Sequence, residues 1–79
     1  MEPQKKADIV IDARDMEPPG PFVATMDALD AMDPSHSLLL ILTREPHPLY
    51  RALLKQGYAY STEITPDYTI EILIWRKAA

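Results

Sequence analysis

The chain has no cysteine. That excludes disulfide staples and any mechanism that needs a thiolate, and it fits a reducing compartment. Basic residues are sparse: eight against twelve acids, for a net charge of −4. Lys5–Lys6 and Arg76–Lys77 are the only adjacent basic pairs. With no basic stripe, nucleic acid is not an expected partner. Long apolar runs are missing too. The longest, LLLILT after Ser37, is far too short to span a bilayer. The opening MEPQKKAD has no apolar stretch behind its charges, so it does not read as a signal peptide. The expected location is cytoplasmic, with no membrane partner. There is no glycine-rich phosphate loop, no nucleophile elbow and no paired zinc motif. No cofactor is expected.

What is present is one small domain's worth of chain, 79 residues of which 47% are hydrophobic. A chain of this size buries roughly 60–65% of its unfolded surface, enough for one modest core. Residues 1–6 are polar and read as a frayed tail, leaving 7–77 as the domain. Ala7 to Asp12 alternates around Ile9 and Ile11, with Val10 opposite, and reads as a strand. A helix should follow from Pro21, with Gly20 as its cap. Phe22, Met26 and Leu29 form its apolar stripe, Asp27 and Asp30 fall toward water, and Asp33–Pro34 ends it.

Ser37 to Thr43 is a continuous apolar run and reads as a central strand buried on both faces. Leu49, Tyr50, Leu53 and Leu54 mark a short second helix, and Gly57 sits where a left-handed cap is wanted. Tyr58 to Ile64 and Tyr68 to Arg76 read as strands around a Thr65–Pro66–Asp67 turn. In the last strand, Ile70, Ile72 and Ile74 share one face, and Leu73 and Trp75 the other.

The order is therefore β-α-β-α-β-β. The long first connection implies a parallel pair, and the short last one an antiparallel hairpin. Two helices cannot cover both faces of four strands. The expected fold is α+β: a two-layer α/β sandwich, with a mixed four-stranded sheet and both helices on one face. The open face would carry Val10, Leu73, Trp75 and part of the Leu38–Leu42 run. Either it is a surface for a homodimer or another partner, or Asp8, Asp12 and Glu71 break it up.

Five of the eight prolines lie in two short stretches, "RDMEPPGPF" (14–22) and "REPHPL" (44–49). Both join a strand to a helix, so a parallel pair would bring them to one edge. Proline stiffens each loop by limiting its unfolded states. Gly20 would let backbone come close to whatever lies above it. Two helix starts at one edge could receive an anion or a partner's carboxylate. Against that, Pro21 and Pro48 bring no N–H. Arg14 and Arg44 are offset by Asp15, Glu17 and Glu45, and the alternative reading is that the arginines and these acids pair with each other or cap the helices. His47, between two prolines, could serve as a metal ligand or general base with Glu17 and Glu45. His36 belongs to the opposite edge, so at most one histidine is available there, which is poor for zinc. Asp27, Asp30 and Asp33 do not match a calcium loop and read as a solvated face. Tyr50, Tyr58 and Tyr60 read as sheet–helix packing.

The segment "IDARDMEPPGP" (11–21) resembles the opening of the SirA/TusA-like sulfur-carrier superfamily, where L-D-x-R-G-L-x-C-P-x-P joins the first strand to the first helix. Asp12, Arg14, Pro19 and Pro21 match that pattern, and the element order is the superfamily's. The resemblance covers about Ala7 to Lys77 and implies a TusA-like fold. The persulfide-bearing cysteine of that pattern falls on Pro18, so sulfur transfer is not implied. The chain is more similar to a bacterial branch of unknown function with E-P-P in the first loop and an R-E-P-H-P-L-like second loop. Glu17, Arg44, Glu45, Pro46, Pro48 and Leu49 carry that likeness. It implies a context in anaerobic and nitrogen-oxide metabolism.

The resulting expectation is a non-catalytic binding or regulatory module. It would dock a protein partner or small anionic ligand through Arg14, Glu17, Pro18, Gly20, Arg44, Glu45 and His47. The alternative is a metal- or cofactor-binding enzyme component using Glu17, Glu45 and His47.

Overall fold

The computed structural model describes residues 7–17 and 19–77. The tail 1–6 and Pro18 lie outside the described residues, so the readings made on them stay as expectations. Six elements follow in order: β1 (Ile9–Asp12), α1 (Gly20–Ala31), β2 (Ser37–Leu42), α2 (His47–Lys55), β3 (Tyr58–Ile64) and β4 (Ile70–Arg76). The sheet order is β1-β2-β4-β3. β1 pairs parallel with β2, while β2–β4 and β3–β4 are antiparallel. This is the expected mixed sheet.

Alternation decides which side chains meet the helices. Leu38, Leu40 and Leu42 of β2 and Ile70, Ile72 and Ile74 of β4 are buried and their intervening neighbours are more exposed, so β2 is buried on one face rather than on both as expected, because no layer packs on the far side among the described residues. They form one core with Leu29 of α1 and with Leu49 and Leu53 of α2. Ile9 and Ile11 of β1 pack against its edge. The other face carries Val10, Leu39, Ile41, Leu73 and Trp75, with Val10 59% exposed. Asp8 and Asp12 are exposed on that face too, so it is apolar at its centre and charged at its margin.

The helix stripes differ from the expectation at two places. Phe22 is 37% exposed, and the buried positions of α1 are Thr25 and Leu29, with Met26 packed against the core. Leu54 of α2 is 54% exposed while Leu49 and Leu53 are buried. Leu54 falls one helix step off the stripe that meets the sheet, whereas Phe22 keeps the spacing of Leu29 but stands in the first turn of α1, on the wall of the cleft between the proline loops. The cap position of α1 is Pro19 rather than Gly20, and Gly20 is already helical.

Ends and turns are specified locally. Asp33 stops the chain after α1 by accepting both the amide and the hydroxyl of Ser35. Gly57 has φ +88°, the left-handed position expected after α2. β4 begins at Ile70, two residues later than the alternation suggests. Thr65 N donates to Thr69 O (2.8 Å) and Tyr68 N to Thr65 O (2.9 Å), closing a tight loop over Pro66–Asp67–Tyr68. At the other end of the hairpin, Tyr58 ties sheet to helix: its hydroxyl donates to Leu29 O (3.3 Å), and Arg76 lies over its ring at 5.5 Å.

Candidate functional site

Because β1 and β2 run parallel, both proline loops leave the sheet at the same edge. Ala13 N donates to Ile41 O (2.8 Å), which carries the pairing one residue into the first loop. Ala13 itself is buried. Between the loops lies a cleft of about 600 Å³. Ala13, Met16, Pro19, Pro21 and Phe22 line it from the first loop, and Thr43, Arg44, Glu45, Pro46 and Pro48 from the second, with Leu42 and Leu49 at its floor. Most of this wall is apolar, and three exposed apolar side chains at this edge are Met16, Phe22 and Tyr68.

Five of the helix-start amides are spent within the chain. Gly20 N donates to Glu17 O (2.8 Å) and Val23 N to Pro19 O (3.0 Å). In the second loop His47 N donates to Glu45 O, and Leu49 N and Tyr50 N both donate to Pro46 O. Pro21 and Pro48 contribute none. An anion here would meet side-chain charge rather than a cradle of free amides.

The expected site residues divide into three groups. Arg44 and Glu45 line the cleft. Among the described residues Arg44 has no ion pair, so its guanidinium is the cleft's available cation. Glu17 and Gly20 lie at the mouth without lining it. A Cβ on Gly20 would sit 3.6 Å from Met16 Cβ, an ordinary contact, so the chain's own packing does not require glycine there.

Arg14 turns the other way. It grips Asp12 with two hydrogen bonds, Nε to Oδ1 at 2.9 Å and Nη2 to Oδ2 at 2.7 Å. The guanidinium holds the Asp12 carboxyl down at about 2, and Asp12 raises Arg14 in return. Arg14 therefore lines a second groove, with Ile41, Asp67 and Glu71, on the open side of the sheet. The two arginines do not converge on one ligand.

His47 stands outside the cleft. Its Nε2 is 3.9 Å from Glu45 Oε1, and its ring meets Tyr50 edge-on at 6.0 Å. The Tyr50 hydroxyl donates to Glu45 Oε2 (3.2 Å) and lies 2.8 Å from Thr62 Oγ1, while its ring stacks on Tyr60 at 4.4 Å. Burial pushes the Tyr50 phenol above its ordinary value. Glu45, His47, Tyr50 and Thr62 thus form a chain of polar contacts joining α2 to β3. Among the described residues no group of three or more histidines and carboxylates could hold a metal ion, so Glu17, Glu45 and His47 do not form a ligand set.

Two contributors were not singled out from sequence. Met16 sits inside the quoted loop, where an apolar residue among prolines is itself a signal of an apolar wall. The Thr65–Thr69 turn reaches the same edge because β4 pairs antiparallel with β2, bringing Ile70 opposite Leu42. No local signal in the turn announces that neighbourhood.

Residues 10–76 match a family described as "Uncharacterized conserved protein (DUF2249)". The chain belongs to that family. The DUF2249 match takes in both helices and every strand but for the first residue of β1. The crystal structure of a SirA-like protein from Desulfitobacterium hafniense is similar in fold, with a TM-score of 0.78. The two are 19% identical, over 89% of this chain and 99% of that one. At that identity the likeness establishes a SirA-like fold for this DUF2249 chain and nothing finer. No curated protein matches the sequence. No helix among the described residues is long and apolar enough to cross a membrane.

Proposed function

We propose that this small SirA-like protein is a non-catalytic binding module, and that its occupant docks in the cleft between the two proline loops. The observation that carries the reading is the cleft itself: a preformed apolar wall with Arg44 at its side and no partner for that charge among the described residues. Binding sites of this kind combine apolar walls with a few placed polar groups. The chain has no cysteine, so the thiol chemistry of the sulfur carriers it resembles is not available. The occupant this arrangement suits presents an apolar group beside a carboxylate, on a partner protein or a small molecule. The apolar part meets Met16, Phe22 and Leu49, and the carboxylate meets Arg44.

The test is an amide chemical-shift titration with phenylbutyrate and, in parallel, with its neutral amide. Shifts should centre on Met16, Phe22, Arg44 and Leu49, and the carboxylate should bind more tightly. Arg44→Ala should remove that preference. Shifts that are absent, or centred on the opposite sheet edge near His36, would overturn the reading.

A further inference from the structure

Arg44 and Glu45 are neighbours in the chain, both are exposed, and both line the cleft. They carry opposite charges, yet no ion pair joins them among the described residues. Glu45 is engaged elsewhere. Its Oε2 accepts from the Tyr50 hydroxyl at 3.2 Å, and its Oε1 lies 3.9 Å from His47 Nε2. Tyr50 is itself held in place. Its ring stacks on Tyr60 at 4.4 Å with the two planes 7° apart, and its oxygen lies 2.8 Å from Thr62 Oγ1. Because the Tyr50 proton goes to Glu45, the Thr62 hydroxyl is the donor to Tyr50. Packing and a second hydrogen bond of this kind fix a binding group in position. Glu45 is thereby tethered through α2 to β3, and Arg44 stands beside it unpaired.

The wall therefore presents two placed charges of opposite sign above an apolar floor. A simple carboxylate answers only one of them: it gains Arg44 and meets the like charge of Glu45. A simple cation has the reverse problem. A carboxylate can accept about four hydrogen bonds, and Tyr50 supplies one to Glu45, so an ammonium can be received without loss of the tether. The ligand that answers both charges carries a carboxylate and an ammonium close together, with an apolar group beside them. A protein chain end carries one of those charges. A free α-amino acid carries both on one carbon. The cleft, at about 600 Å³, is of the size that takes a small molecule.

We propose that the cleft binds a free α-amino acid with an apolar side chain. Arg44 takes its carboxylate, Glu45 takes its ammonium, and Met16, Phe22 and Leu49 take the side chain. This rests on the docking role proposed for the cleft and narrows the occupant to a zwitterion. Tyr50 is then a positioning residue, acting through Glu45 without touching the ligand.

L-phenylalanine and 3-phenylpropanoate test it, because they differ only in the ammonium. Amide-shift titrations of the wild-type chain near neutral pH should place both in the cleft, with L-phenylalanine about fivefold tighter. Glycine, which has both charges and no side chain, should bind about tenfold more weakly than L-phenylalanine, or worse. Glu45→Gln should abolish the preference for L-phenylalanine and tighten 3-phenylpropanoate about threefold, since a like charge leaves the wall. Tyr50→Phe keeps the ring stack and removes the tether. It should cut the preference about threefold, whereas a role in packing alone would leave the ratio of the two affinities unmoved. If 3-phenylpropanoate binds the cleft as tightly as L-phenylalanine, the zwitterion is overturned and the carboxylate reading stands. A preference that survives Glu45→Gln overturns it as well. If neither ligand shifts the cleft amides, both readings fall.

Discussion

Arg14 and Thr25 show how a single residue's surroundings outweigh its type. Arg14 reads in the sequence as a ligand-binding cation. Two residues earlier lies Asp12, and the chain turns between them so that the fork of the guanidinium meets the carboxylate. The sign of the pH effect follows from Asp12. Its folded value is depressed, so its contribution is present above the unfolded value of about 3.9 and lost as pH falls toward about 2. A carboxyl-carbon NMR titration should show Asp12 with its midpoint near 2, and Arg14→Ala should return it to about 3.9. Both groups are exposed, so this is a statement about titration rather than a large stability term. Thr25 is the opposite case: it is fully buried in α1 and its hydroxyl has no hydrogen-bond partner among the described residues. Thr25→Val keeps the branched shape and removes the orphaned group. Urea unfolding should find the variant more stable by up to about 1 kcal/mol.

At the scale of elements, the hairpin and the second helix carry the testable features. The Pro66–Asp67–Tyr68 loop ends on Tyr68 at φ +67°, a position that favours glycine. A non-glycine residue there costs about 1–2 kcal/mol, and Tyr68 is 81% exposed and so gains little from burial. Tyr68→Gly should therefore raise the unfolding midpoint, by about 1 kcal/mol in free energy. α2 meets the sheet through Leu49 and Leu53, both essentially inaccessible to water. Leu53→Ala should cost about 2–5 kcal/mol, measured by urea or thermal unfolding. For a domain of this size that is a large fraction of the total stability. The cleft should be lost with it, because Leu49 on the same helix forms its floor.

For the whole molecule, binding and stability separate. Arg44 is exposed and has no ion pair among the described residues, so Arg44→Ala should change unfolding free energy by no more than about 0.5 kcal/mol. Its effect on a carboxylate ligand should be larger than that, as read by the shift titration. The molecule's architecture explains why such a separation is available. The core lies between the helices and the buried face of the sheet, the cleft lies at one edge of that layer, and the apolar open face lies on its far side. A substitution at one of these surfaces need not disturb the others.

The sequence by itself determined the order of elements, the alternation of β1 and β4, and the glycine after α2. These are local: alternation along a strand and a left-handed cap are written within a few residues. The meeting of the two proline loops also followed from it, since a strand–helix–strand connection runs parallel. What only the tertiary structure decided is where side chains near that edge point. Phe22 and Leu54 satisfy the apolar spacing of a helix, yet one lines the cleft and the other faces water, because the angle at which a helix meets a sheet is set by distant partners. Arg14 and Arg44 occupy matching places in their loops, yet only one remains beside the cleft. Asp12, on the far side of the sheet, draws the other away, and a pattern of residue types carries no record of that competition.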